Sequence, residues 1–377
     1  MPVGIPLPLN YFKCPPLSQR EVEQYMEMGR QSTKALIMKA KLEGGTYDWK
    51  LLKDESELKI YKGRCHGTTE DAVLHCGVME VIGELNECME LHQDDTTEQA
   101  REFTQKFGRA YADAMTLYTV LPRHPTRPND LIQIKWFMSK SPLDGLVVRR
   151  DYVMLVSSWE FQVHGKRAWV RSYRSIELAA VPDMRKELNP TDLGFIVVES
   201  DRPGYLHMTY LADIDIKGKV PAWAHDQSLK YWLRSMFQID RYMRENRLSR
   251  TPFLKKERLC PLHLRNTCAL CRRKFGPLRK KSNCVKCGEV LCRDCNRIWN
   301  VQVNGFDAKI RACNTCSLGS SPGSKRRPSW PAYGSFTPLP SVHLASATGW
   351  SMDTDMDILG DAATARSLTS SFNSNKL

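Results

Sequence analysis

The chain has 377 residues, 42% of them hydrophobic and 26% charged, enough to bury a real core over two or three domains. Its formal net charge of +13 is unevenly placed: Lys plus Arg against Asp plus Glu stand at 35 to 34 over residues 1–250, but at 18 to 4 over 251–327. No stretch approaches the roughly 18 apolar residues of a membrane span, the proline-broken start MPVGIPLPLNYFKCPP lacks the apolar core of a signal peptide, and Met1-Pro2 excludes a myristoylation start, so the expected setting is cytoplasmic.

Residues 1–17 form a Pro-rich extension. From Ser18, apolar residues at Val22, Tyr25, Met26, Ala35, Leu36, Met38 and Leu42 follow a helical spacing, and Ser18 with Glu21 makes a capping box. Further helices are expected over Ile82–Leu91 and Glu98–Asp113. Period-2 patterns then predict strands. In Asp130–Lys140, Ile132, Ile134, Trp136 and Met138 alternate with Gln133, Lys135 and Phe137, the mark of a half-buried strand. Similar readings cover 150–161, 166–178, 193–200 and 204–216. Arg150 and Asp151 are expected to pair at a strand end, and Trp136, Trp159, Trp169 and Trp232 to pack in the core. Pro221 opens a closing helix to about Asn246 whose apolar stripe is Leu229, Leu233, Met236 and Met243. This order of elements predicts an α+β domain over 18–250. A linker at 251–259, a Cys-rich module at 260–320 and a disordered Ser/Pro/Gly-rich tail at 321–377 complete the chain. In the tail, Arg326-Arg327-Pro328-Ser329 resembles a basophilic kinase site.

Eight of the thirteen cysteines fall between 268 and 316 as four Cys-x-x-Cys pairs. Each pair brings two thiolates to one metal, so four pairs predict two tetrahedral zinc ions. Only four residues separate Cys287 from Cys292, which favours an interleaved arrangement. Cys268, Cys271, Cys292 and Cys295 would hold one ion, and Cys284, Cys287, Cys313 and Cys316 the other. With both sets complete, Cys260 and His263 are read as structural or incidental. A module so poor in core should fold only with its metal.

The segment FGPLRKKSNCVKCGEVLCRDCN, with the Arg-Ala-Cys before Asn314, resembles a FYVE-type zinc finger in its cysteine spacing, in Phe275, in Gly288 and in Arg311. The resemblance implies a cross-brace module that contacts phosphatidylinositol 3-phosphate on endosomal membranes. It makes Lys280, Lys281 and Arg311 the headgroup candidates and Leu278 the membrane-insertion candidate. Ser282, Asn283 and Val285 stand where the family motif has two histidines and an arginine. The 18–250 region resembles a START-type lipid-binding domain in Trp49-Lys50-Leu51-Leu52-Lys53, in Arg149-Arg150-Asp151-Tyr152 and in DIDIKGKVPAWA. That resemblance implies a helix-grip fold, in which a curved antiparallel sheet and a long C-terminal helix enclose a tunnel for one lipid or sterol.

No P-loop, dinucleotide fingerprint or His-Glu-x-x-His occurs, and the Gly-x-Ser-x-Gly match at 319–323 lacks the strand–turn–helix it needs. A zinc held by four thiolates has no open position for catalysis. The expectation is therefore a non-enzymatic lipid-binding protein, peripheral at endosomal or other acidic membranes. The alternative is an adaptor whose zinc finger binds a protein. Nucleic acid is not an expected partner, because no basic helix carries interleaved aromatics.

Overall fold

The computed structural model describes residues 5–55, 57–65, 73–107, 111–139, 151–181, 188–216, 229–230, 232–277 and 279–319. Among these, one compact unit runs to Met236 and a second begins at Phe237.

Helix α1 (Gln19–Lys39) starts where the capping box puts it. The Ser18 hydroxyl accepts from the Glu21 N–H, and the Glu21 carboxylate accepts from the Ser18 N–H at 2.7 Å. Strands β1 (Tyr47–Asp54), β2 (Leu58–Cys65) and β3 (Val73–Ile82) follow, then α2 (Leu85–Leu91) and α3 (Thr97–Phe107). Six more strands complete the unit: β4 (Tyr111–Leu121), β5 (Leu131–Ser139), β6 (Asp151–Val163), β7 (Lys166–Ser175), β8 (Leu188–Glu199) and β9 (Tyr205–Ile216). All nine join one antiparallel sheet in the order β1-β2-β3-β9-β8-β7-β6-β5-β4. Three register shifts between β4 and β5 bend that edge. The unit is the α+β arrangement of antiparallel sheet and helices that the sequence implies.

Both faces of the central strands are buried. On one, Leu36 and Ile37 of α1 join Ile132, Ile134, Trp136, Leu155, Trp159, Val170 and Ile196 in a single core. Gly194 makes that approach possible, since a Cβ there would run into the Arg171 carbonyl and Leu36. Gly194→Val is expected to cost about 1–3 kcal/mol by overpacking, read as a lower midpoint of chemical denaturation. An unchanged midpoint would show that α1 has room to move away. Strand alternation sends Lys135, Phe137, Tyr152, Met154, Trp169, Arg171 and Tyr210 to the opposite face, where they are also buried. There Phe195 stacks on Tyr210 at 4.0 Å, and Tyr111 meets Phe137 at 5.3 Å.

Several elements differ from the sequence expectation. Tyr47–Ile82 holds three strands, so the helix expected from Ile82 begins at Leu85. In β3, Leu74, Cys76 and Val78 serve one face while Met79 and Val81 are buried on the other, and its two polar residues, buried His75 and exposed Glu80, fall on opposite faces, so no period of two marks it. The helix expected to reach Asp113 stops at Phe107, and Asp113 lies in β4 with its carboxylate held by Arg101 and the Leu7 N–H. The closing helix is interrupted. Residues 229–230 and 232–233 are helical, 234–235 form a turn, and the helix resumes over Met236–Arg250. Residues 140–150, 217–228 and 320–377 lie outside the described residues, and with them Arg149, Arg150, most of DIDIKGKVPAWA, the Gly-x-Ser-x-Gly match and the kinase-like site.

The second unit contains the helix residues from Phe237, two hairpins and a short terminal helix, Asn314–Ser317. One hairpin pairs β10 (Lys281–Asn283) with β11 (Val290–Cys292), the other β12 (Asn296–Val303) with β13 (Phe306–Cys313). The helix is tied to β12: the Glu245 carboxylate accepts from the Asn300 N–H and the Ser249 hydroxyl from the Gln302 N–H, each at 2.9 Å. An apolar stripe reveals which helix face is buried, not what buries it. Hence the sequence alone places these residues at the end of the large domain.

Candidate metal centre, basic face and buried polar cluster

The four Cys-x-x-Cys pairs meet in the interleaved order. The sulfurs of Cys268, Cys271, Cys292 and Cys295 lie within 4.8 Å of one another, as do those of Cys284, Cys287, Cys313 and Cys316. Short-range backbone geometry builds each knuckle. Gly288, at φ +79°, donates its N–H to the Cys284 carbonyl at 2.8 Å and closes the turn behind Cys287. Backbone N–H groups also point at sulfur: Cys292 to Cys268 at 3.4 Å, Cys313 to Cys284 at 3.2 Å and Cys316 to Cys313 at 3.3 Å. Such donors favour the thiolate over the thiol, the form that a metal needs. Four convergent soft donors per cluster fit a tetrahedral zinc ion. Cys260 belongs to neither cluster; its thiol faces the Pro261 carbonyl at 3.8 Å.

The headgroup candidates differ in their surroundings. Lys280 is exposed. The Lys281 ammonium donates to the carbonyls of Leu262 at 3.3 Å and Arg265 at 2.8 Å, and sits 5.3 Å from the Phe275 ring centre. Arg311 donates to the Asn296 carbonyl at 3.2 Å. Leu278 lies outside the described residues. The same face holds an open cleft of about 560 Å³ lined by Asn266, Thr267, Lys274, Phe275, Gly276, Arg279 and Lys281. Lys274 and Arg279 do not stand out in the sequence, because they flank the family motif instead of lying in it. The signal available is their density: from Arg258 to Gly288 the chain has nine Lys and Arg and no acidic residue.

The first unit buries a second polar group that sequence reasoning missed. Asp94 meets the Lys135 ammonium at 2.8 Å and Arg171 Nη2 at 2.7 Å, while Arg171 Nη1 donates to the His92 carbonyl at 2.8 Å. One carboxylate thus faces two cations, all three groups buried. Burial alone would raise the Asp94 pKa, but Arg171 and Lys135 outweigh it and hold the carboxyl well below its ordinary range. Burial pushes Lys135 down to about 8, with Asp94 opposing the shift. Burial likewise pushes His92 down to about 4. At the strand end where a pair with Arg150 was expected, Asp151 accepts from the Trp136 indole N–H at 2.9 Å. Trp136, Trp159 and Trp169 are core residues, whereas Trp232 is half-buried with its ring edge-on to Tyr111 at 5.4 Å.

Interleaved four-thiolate sets define a cross-braced, two-zinc module. Residues 261–319 match the family model described as FYVE zinc finger, so the second unit carries a FYVE zinc finger with two zinc ions. No curated protein matches the chain in sequence. Solved structures to which it is similar include human STARD10, at 15% identity over 62% of this chain and 82% of that one, with a TM-score of 0.40. Human StAR-related lipid transfer protein 5 is 13% identical over 58% of this chain and 93% of its own, with a TM-score of 0.42. A STAR-related lipid transfer protein from Xanthomonas axonopodis is 16% identical over 52% and 98%, with a TM-score of 0.39.

Proposed function

We propose that this chain is a non-enzymatic peripheral-membrane protein. Its zinc finger contacts an anionic leaflet, endosomal and phosphoinositide-bearing, and its large domain holds a lipid or sterol. The eight clustered cysteines would be the zinc ligands, with Lys280, Lys281 and Arg311 as headgroup contacts. The observation that carries the reading is the cleft beside the metal sites, where Lys274, Arg279 and Lys281 converge with no acidic side chain in its lining. A concave basic site on a rigid metal-braced scaffold suits a phosphate better than a diffuse lysine cover would. The lipid half of the reading rests on the START-type resemblance and on the aromatic inner face of the sheet.

Co-sedimentation of the full chain with phosphatidylcholine vesicles, with and without phosphatidylserine or phosphatidylinositol 3-phosphate, tests the membrane half. At about 1 kcal/mol per well-placed cation, Lys274→Gln, Arg279→Gln and Lys280→Gln together should weaken binding about a hundredfold. A parent protein that ignores every anionic vesicle would sink the membrane reading and leave the adaptor. Mass spectrometry of lipids that co-purify with the chain tests the other half; a lipid-free preparation would count against it.

A further inference from the structure

Two leucines on the zinc module lie open to solvent in a way that its fold does not require. Pro261 leads into a single 3-10 turn, Leu262–Leu264, closed by the Leu264 N–H on the Pro261 carbonyl at 3.1 Å. Leu262 is 42% exposed and Leu264 64%. Isolated exposed leucines are common and need no account. This turn, however, is fastened on both sides. Before it, the Asn283 side chain donates to the Cys260 carbonyl at 2.7 Å and the Cys260 N–H to the Gly288 carbonyl at 3.0 Å. Across it, the Lys281 ammonium binds the carbonyls of Leu262 and Arg265. A loop free to move could fold its leucines against the module; this one is held in place with both side chains outward.

The surroundings choose the partner. Arg265 directly follows the turn, and Asn266 and Thr267 after it form one lip of the cleft that also takes in Lys274, Arg279 and Lys281. Lys280 is exposed beside Lys281. The acidic neighbour is Glu289, 3.4 Å from Arg265 in an exposed pair that water screens. Apolar tips ringed by cations complement the boundary of an anionic bilayer, where acyl chains lie a few ångströms beneath negatively charged headgroups.

We propose that the Leu262–Leu264 turn is a membrane-entering wedge. Its two leucines pass below the headgroups while Arg265, Lys274, Arg279 and Lys280 hold the phosphate layer. Lys281, a lining residue of the cleft, is in addition a positioning residue: its bonds to the Leu262 and Arg265 carbonyls fix the wedge on β10. The inference rests on the membrane reading above and adds an apolar component that salt does not screen.

The test uses the full chain, with two zinc ions verified by native mass spectrometry, and vesicles of phosphatidylcholine with about 30% phosphatidylserine at about 0.1 M and about 0.5 M salt. Leu262→Ser with Leu264→Ser should weaken binding at low salt by about tenfold or more and abolish what persists at high salt. Leu264→Ser alone, at the more exposed position, should show a smaller loss, and Leu264→Phe should restore parent binding. A double variant that keeps both zinc ions and binds like the parent at both salts overturns the wedge while the membrane reading stands. A parent that ignores anionic vesicles fails the membrane reading itself. Unchanged vesicle binding with loss of an acidic protein partner assigns the turn to a protein contact and also overturns the wedge.

Discussion

Stripping zinc from this protein is expected to unfold the second unit while the nine-stranded sheet keeps its structure. Apart from four cysteines, the apolar cluster around the metal sites has only Leu248, Leu291, Trp299, Val301 and Ala312 as buried members among the described residues. Its longest ladder is the single hairpin β12–β13, and two-stranded hairpins are marginal alone. Zinc binding is therefore folding free energy here, about 10–16 kcal/mol for a structural site at neutral pH, comparable to or larger than the total stability of a typical domain. A chelator should erase amide-exchange protection across Asn296–Cys313. It should also release the helix residues whose Glu245 and Ser249 receive the β12 N–H groups. Protection in β5 to β9 should persist. Cys284→Ser should remove at least one of two zinc ions in native mass spectrometry, because the Cys284 sulfur accepts from the Cys313 backbone and ties the first hairpin to the last. Full protection of β12–β13 in the metal-free chain would defeat this account.

How legible these features were depended on how local their causes were. Each cysteine pair is a four-residue turn, so spacing alone pointed to the two interleaved thiol clusters. The α1 start was legible for the same reason, since Ser18 and Glu21 cap each other across one turn. Strand β5 was found by its alternation, yet for a partly mistaken reason. Gln133 and Lys135 looked like the wet face of a half-buried strand, but they are 1% and 0% exposed. Their polarity belongs to an interior network whose members come from distant segments: Asp94 precedes α3, Lys135 lies on β5 and Arg171 on β7. No local pattern announces such a meeting. β3 failed in the opposite way, because burial on both faces, with polar His75 and Glu80 split between them, left it without an alternating mark. Lys274 and Arg279 were visible as charge but acquired a site only when the chain curved around Phe275.

Asp94→Asn should be among the most damaging single changes in the first unit, at about 3–5 kcal/mol, because it leaves Lys135 and Arg171 both buried and without a counter-charge. Lys135→Met should cost far less, since Arg171 keeps its partner and the methionine fills similar space. In the Lys135→Met background, Asp94→Asn should cost less than it does alone, and that difference measures the coupling. The same cluster sets a pH signature. His92 titrates near 4 when folded but at 6.5 when exposed, so between those values the unfolded chain binds the extra proton and stability falls as pH falls. At about 1.4 kcal/mol for each pH step of one between those values, the loss approaches about 3 kcal/mol at about pH 4. Asp94, lowered by its two cations, adds a further loss as pH drops through the ordinary carboxylate range and below. Lys135 acts at the other end. Its folded value near 8 lies below the ordinary lysine value of 10.5, so stability should rise as pH climbs from about 8. Chemical denaturation across about pH 4 to about pH 10, with His92→Gln flattening the acid limb and Lys135→Met the alkaline rise, checks both signs. Equal midpoints for the parent at about pH 4 and about pH 7 would show that the buried His92 ring gains its proton without cost, contrary to its burial.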